Sequence, residues 1–248
     1  MKRKYLCKPT PIRLTDPIFH SCCFERAAHL PAKVDLRSGC SPVVDQGELG
    51  SCTANAIASG LREFLLLKEG QPLTSLSRLF LYYKERELEG TTGEDSGAMI
   101  GDGMRILKEV GVCPEADWPY DISTFANPPT ARDIADAAAF KIDSYHRIPS
   151  LIMLKAALAE GLIVPTGITV YQSFASEKVA GTGRIPMPKR REEILGGHAV
   201  DTVGYDCTGK KTKYLLRNSW GKGWGQDGYF EMDEAVFKKL VTDMWTGK

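Results

Sequence analysis

The chain carries no excess of charge of either sign: 32 Lys and Arg against 31 Asp and Glu leave a net charge of +1. That balance gives no electrostatic footprint for nucleic acid or for an anionic membrane. Long hydrophobic runs are missing as well. The stretch 161–170, GLIVPTGITV, is one of the longest, and it is too short to span a bilayer and broken by a proline. The N-terminus, MKRKYLCKPTPIRLTDPIFH, is basic, but the apolar core of a signal peptide does not follow it. The compartment therefore stays open between cytoplasm and secretion after leader removal. Paired cysteine spacing is absent too. Seven cysteines cannot all pair within one chain, and no CxxC occurs among them, which weakens a zinc or thioredoxin-like reading. There is no internal repeat and no low-complexity segment.

What is present is an ordinary globular composition, with 43% apolar and 25% charged residues over 248 positions. That length suffices for one large domain or two small ones sharing a cleft. Residues 1–30 are proline-bearing, charged and aperiodic, and read as an extended N-terminal arm. From Cys52 to about Glu69 the apolar positions Ala54, Ile57, Ala58, Leu61, Phe64, Leu65 and Leu67 recur at helical spacing, and Gly70 and Pro72 end that helix. A second helix is expected over 76–88. A glycine- and aspartate-rich loop follows over 90–103, then a short third helix over 103–110. Pro128 and Pro129 mark a linker. Beyond them 140–147 alternates like a strand and 150–160 reads as an amphipathic helix. Short β-rich segments follow at 163–170, 198–205, 213–218 and 228–232, separated by glycine-bearing turns. The expectation is an arm over 1–30, a helical lobe over 31–130 and a β-rich lobe over 131–248.

The stretch GELGSCTANA, 47–56, places Cys52 after a glycine-rich turn, with Ser51 as N-cap, in the first turn of a long helix. The partial positive charge at a helix start favours thiolate over thiol. A nucleophilic thiolate also needs a base, an orienter for that base and donors for an oxyanion. His198, after Gly196-Gly197 and opening a strand, is the candidate base. Asn218, ending the strand KYLLRN, is the candidate orienter: its carbonyl can take one imidazole nitrogen and leave the other for sulfur. Gln46, six positions before Cys52, can converge on the oxyanion with the Cys52 backbone N–H. A lone cysteine opening an apolar helix is usually core, and a lone histidine on a strand is usually structural. It is the ordered set of four that points to chemistry.

That set, Gln46…Cys52, then Gly197-His198-Ala199-Val200, then Asn218-Ser219-Trp220-Gly221 continuing to Gly228-Tyr229, resembles the papain family of cysteine peptidases, and its bacterial-type members more than lysosomal cathepsins. The segments 30–37, 73–84, 103–120 and 150–170 are similar to the family's mature start, its second and third helices, and its connecting helix and barrel strand. The resemblance implies an α+β, two-lobed fold with the cleft between a helical and a β-barrel-like lobe. It implies peptide-bond hydrolysis through a thioester acyl-enzyme, with Cys52 as nucleophile and His198 as general acid and base. It implies further that Gly50, Gly97, Met99, Gly197 and Trp220 bind substrate. Gly97 would pair with an extended peptide and Met99 would line an apolar pocket for the residue two before the cut. Trp220 would shield the His–Asn pair and border the leaving-group side. No cofactor is expected; the expected partner is a peptide or protein substrate on a monomer, and residues 1–30 stay open between an arm packed at the cleft and an unstructured tail.

The chain departs from the family's pattern. Leu49 and Thr53 replace the cysteine and aromatic that flank the usual nucleophile block, and Leu49, Glu94 and Glu192 stand where the family's disulfide frame has cysteines. None of these touches a reacting group. The rival readings are a thiol amidase or ligase using the same triad, and a catalytically restrained or silent relative whose cleft holds a partner or its own arm. Other features carry less. GKGWGQDG at 221–228 lacks the ending and helix of a phosphate loop. GEDSGAMIGDGM at 93–104 lacks calcium-loop spacing, and KRREE at 189–193 reads as a solvated loop. A metal site from His20, Cys22, Cys23 and His29 lacks a second spaced pair.

Overall fold

A computed structural model describes residues 3–21 and 30–248. Strand β1 (Lys33–Asp35) leads by a loop to the central helix, which opens as one α turn, α1 (Cys52–Ala54), widens to a π-helix over Asn55–Arg62 and closes as α2 (Glu63–Lys68). The helical lobe continues with α3 (Arg78–Glu89) and α4 (Ile100–Glu109). Then come α5 (Ala131–Ala137), β2 (Tyr145–Arg147), α6 (Leu151–Ala159), β3 (Val164–Tyr171) and α7 (Glu177–Thr182). The chain finishes with β4 (Ile194–Asp206), β5 (Lys213–Arg217), β6 (Tyr229–Asp233), α8 (Glu234–Leu240) and β7 (Val241–Gly247). The strands form one antiparallel sheet in the order β2-β7-β3-β4-β5-β6, with β1 pairing β4. The result is the expected α+β fold of two lobes.

The central helix is buried all round from Cys52 to Leu66, because α3 and α4 cover one side and β3 and β4 the other. It is the wall shared by both lobes, and its first residue therefore sits at the bottom of the cleft between them. Helix α3 is capped by the Ser77 hydroxyl, which accepts from the Phe80 N–H at 3.1 Å, and ends on Gly90 in the left-handed region at φ 73°.

Several local expectations shift. Helix α4 begins three residues before the expected Gly103. Its two glycines are packing sites: a Cβ on Gly101 would lie 2.6 Å from the Thr10 side chain, and one on Gly103 would lie 2.3 Å from the Glu85 carboxylate. Of the strand expected over 140–147 only Tyr145–Arg147 forms, and 138–140 is a 3-10 turn. Ser51 occupies the N-cap position of α1, but its hydroxyl pairs with the Tyr120 hydroxyl at 2.5 Å and makes no cap bond.

Candidate active site

The site is assembled from three elements. Cys52, the first residue of α1, is fully buried. His198 lies in β4 and Asn218 directly follows β5; these neighbouring strands pair Asp201 with Arg217, which sets the two side chains on one face. His198 Nε2 and Asn218 Oδ1 are 2.8 Å apart. Asn218 Oδ1 also accepts the Ser219 N–H at 2.8 Å, which holds the amide in place. His198 Nδ1 pairs with no backbone or side-chain oxygen or nitrogen, and it is the ring nitrogen left to meet the Cys52 sulfur. The Trp220 indole stacks on the imidazole at 4.9 Å between ring centres and is itself caged by Phe174 and Trp224. The His–Asn pair is thus kept from water by an apolar lid.

Gln46 is fully buried and fixed at both ends of its amide: Oε1 accepts from the Ser219 hydroxyl at 2.6 Å and Nε2 donates to the Leu49 carbonyl at 2.9 Å. At the start of α1 the Cys52 backbone N–H has no intrahelical acceptor. The Tyr120 hydroxyl donates to the Gln46 carbonyl at 2.9 Å and pairs with Ser51, so it ties this turn to the helical lobe. Nothing in the local sequence marked Tyr120 or Ser219 as supports; only the fold brings them to Gln46.

The Cys52 thiol is held well below its ordinary pKa. The largest cause is a hydrogen bond from the Cys7 thiol; burial opposes it, and the His198 ring and the Ala199 N–H lower it further. Cys7 belongs to the N-terminal arm, which runs through the cleft. Leu6 and Lys8 form parallel bridges with Gly197 and Met99. The Cys7 N–H donates to the Gly197 carbonyl at 3.0 Å and the Lys8 N–H to the Ala98 carbonyl at 3.0 Å. Gly50, Gly97 and Gly197 lie against this arm. A Cβ on Gly97 would sit 1.9 Å from the Leu6 carbonyl oxygen, and one on Gly197 would sit 2.1 Å from that of Cys7. A Cβ on Gly50 would strike the Leu6 side chain at 2.7 Å. Met99 is half-buried and borders an open depression of about 650 Å³ with Lys8, Glu89 and Asp102.

Charge fastens the arm along its length. Arg3 pairs with Asp45 at 2.7 Å and lies over the Trp220 ring at 5.0 Å. Lys4 pairs with Asp95 at 2.6 Å, Lys8 with Glu89 at 2.7 Å and Arg13 with Asp102 at 3.1 Å. Asp95, within the acidic stretch 93–104, also accepts the Gly50 N–H at 3.0 Å and the Tyr82 hydroxyl at 2.5 Å. Farther on, Ile18 bridges Arg147 of β2. Of the four residues considered for a metal, Cys22, Cys23 and His29 lie outside the described residues; no metal-holding cluster occurs among the described ones. Cys7, Cys40, Cys52, Cys113 and Cys207 are all free thiols, and no described helix is long and apolar enough to cross a membrane.

Comparison with known proteins meets this geometry. The family described as papain family cysteine protease matches residues 30–243. A peptidase-like protein of Acanthamoeba polyphaga mimivirus is 39% identical over 214 residues, covering 82% of this chain and 68% of that protein. Cysteine proteinase 1 of Entamoeba histolytica is 29% identical over 213 residues, covering 82% of this chain and 63% of that protein. The chain thus spans less than two thirds of the Entamoeba relative's length. The crystal structure of xylellain, a cysteine protease from Xylella fastidiosa, superposes with a TM-score of 0.88 at 38% identity, covering 100% of this chain and 98% of that one. With the ordered Gln–Cys–His–Asn set in a cleft between two such lobes, the chain belongs to the papain family of cysteine proteases.

Proposed function

We propose that the chain is a cysteine endopeptidase, closed in this form by its own N-terminal arm. The observation that carries the reading is the buried Cys52 at the first residue of α1, beside an imidazole whose far nitrogen is held by Asn218. In this reading Cys52 attacks the peptide carbonyl. His198 gives a proton to the leaving amine and then takes one from the water that releases the acyl group. Asn218 keeps the ring in the plane that serves both steps. Gln46 and the Cys52 N–H receive the oxyanion. The substrate is an extended peptide or protein lying between Gly50, Gly97 and Gly197, with Trp220 on the leaving-group side. Met99 supplies an apolar wall for the residue two before the cut.

The arm favours the restrained form of this reading over an open one. It occupies the channel in the order Arg3 at Trp220, Tyr5 beside His198, Cys7 at Cys52 and Lys8 at Met99. It therefore enters from the leaving-group side and runs toward the acyl side, opposite to a productive substrate. The Leu6 and Cys7 carbonyls face Gly97 and Gly197. Labelling with a thiol-directed epoxide, mapped by mass, together with peptide turnover, tests the reading. The expected result is slow labelling confined to Cys52 and turnover that rises as the arm is loosened. A folded, reduced protein with a loosened arm that neither labels nor cleaves would leave only the silent, binding-protein reading.

A further inference from the structure

Cys7 is the arm residue that meets the nucleophile, and peptide hydrolysis has no use for it. Two backbone bonds pin it between the lobes: its own N–H to the Gly197 carbonyl, and that of Lys8 to the Ala98 carbonyl, both at 3.0 Å. Its carbonyl lies against Gly197, and the residue is buried, at 7% exposure against 0% for Cys52. Its thiol donates to the Lys8 carbonyl at 3.8 Å, and the adjacent Cys52 sulfur, followed by burial, raises its pKa well above the ordinary value. The cleft thus sets two cysteine side chains against each other, from segments 45 residues apart that only this docking brings together, with the Cys52 pKa lowered and that of Cys7 raised.

We propose that Cys7 is the resolving thiol for Cys52, and that a peroxide closes the protein through a Cys7–Cys52 disulfide which fixes the arm in the cleft. The proposal rests on the reactive Cys52 of the functional reading. The Cys52 thiolate attacks one oxygen of hydrogen peroxide. An S–O bond forms, the O–O bond breaks, and hydroxide leaves and takes up a proton as water. The Cys7 sulfur then displaces the sulfenic oxygen. An S–S bond forms, the S–O bond breaks, and the oxygen departs as a second water carrying the Cys7 proton. Two electrons pass from the sulfur pair to the peroxide, and a dithiol returns them. Such a partner spares a reactive thiolate from the irreversible sulfinic and sulfonic stages. Burial pushes the Cys40 thiol up to about 11 and that of Cys113 up to about 12, so neither competes with Cys52 as a thiolate at neutral pH.

The test uses the full chain, reduced, freed of reductant and treated with hydrogen peroxide. The expected product has lost two hydrogens, and a non-reducing peptide map joins the Cys7 and Cys52 peptides. Epoxide labelling of Cys52 falls at least tenfold and returns on addition of dithiothreitol. In Cys7→Ser the same treatment instead adds two or three oxygens to Cys52, and labelling does not return. The proposal is overturned if the parent gains those oxygens as fast as Cys7→Ser with no Cys7–Cys52 link, or if Cys52 links to a different cysteine. The mass map reads the cross-link independently of catalysis. Failure of reduced Cys7→Ser to label or cleave would count against the peptidase reading instead.

Discussion

On the proposed function, the ion pairs that fasten the arm should set how often the cleft opens. In the triple variant Arg3→Ala/Lys4→Ala/Lys8→Ala three of them are lost. Each pair has one side substantially open to water: Asp45 is 44% exposed, Lys4 49% and Lys8 41%. Pairs of that kind contribute about 0.2–1 kcal/mol each, so together roughly 1–3 kcal/mol. The three partners are different residues, so their losses add approximately. With arm opening as a fast equilibrium before labelling, the open fraction rises by roughly 5- to 150-fold. The assay is the rate of epoxide labelling at Cys52 in low salt. Raising the ionic strength from about 0.01 M to about 1 M shortens the screening length from about 30 Å to about 3 Å. That should speed labelling of the parent and leave the triple variant nearly unchanged. Equal labelling rates for parent and variant in low salt, with no salt dependence in either, would refute the view that these pairs hold the arm closed.

Other outcomes are expected from the site itself. Gln46→Ala should lower kcat by about 10²–10³ with little change in KM; a circular dichroism spectrum matching the parent's separates this from loss of the Ser219 and Leu49 bonds. Gly197→Ala places a Cβ 2.1 Å from the Cys7 carbonyl oxygen. It should speed epoxide labelling by displacing the arm while slowing peptide turnover, because the same wall receives substrate; a variant that labels at the parental rate contradicts the placement of the arm. Asp201, buried beneath the site beside Arg217, has its carboxyl raised by burial from 3.8 to about 8, against the lowering pull of Arg217. Between those values the unfolded chain has released the proton and the folded chain still holds it, so stability falls as pH rises, by up to about 1.4 kcal/mol per pH unit. Asp201→Asn removes this slope, and urea midpoints at several pH values between about 4 and 8 will show it as a growing advantage of the variant. Parallel pH curves for the two proteins would contradict the assignment.

Much of the helical lobe was legible in the chain, because its signals are local. The apolar spacing from Ala54 to Leu65 and the Gly70 stop mark the central helix to within a residue of its observed end at Lys68. The strand cores around His198, Leu215 and Phe230 stand out by their β-rich composition between glycine turns. The elements that escaped lack such signals. Strand β7 is buried from Asp243 to Gly247, so both faces are covered and no alternation marks it; Trp245 is at 0% exposure and the Trp245 Nε1–H donates to Asp243 at 3.0 Å. Helix α4 was expected to begin at Gly103 because Gly101 reads as a loop residue, yet that glycine is what lets Thr10 and Trp245 approach the helix.

The site divides in the same way. The order Gln46, Cys52, His198, Asn218 and the glycine–tryptophan block around Trp220 are written in the chain, since those residue types in that order match the pattern of the papain family. What crosses the cleft is not. Cys7 sits in KYLCKPT with no motif around it, and Arg3, Lys4 and Lys8 read only as a basic terminus. Their roles depend on where Asp45, Asp95, Glu89 and Cys52 end up after distant segments fold together. A contact between two thiols 45 residues apart leaves no periodicity or spacing in the chain. Only the docking of the arm along the seam of the two lobes decides it.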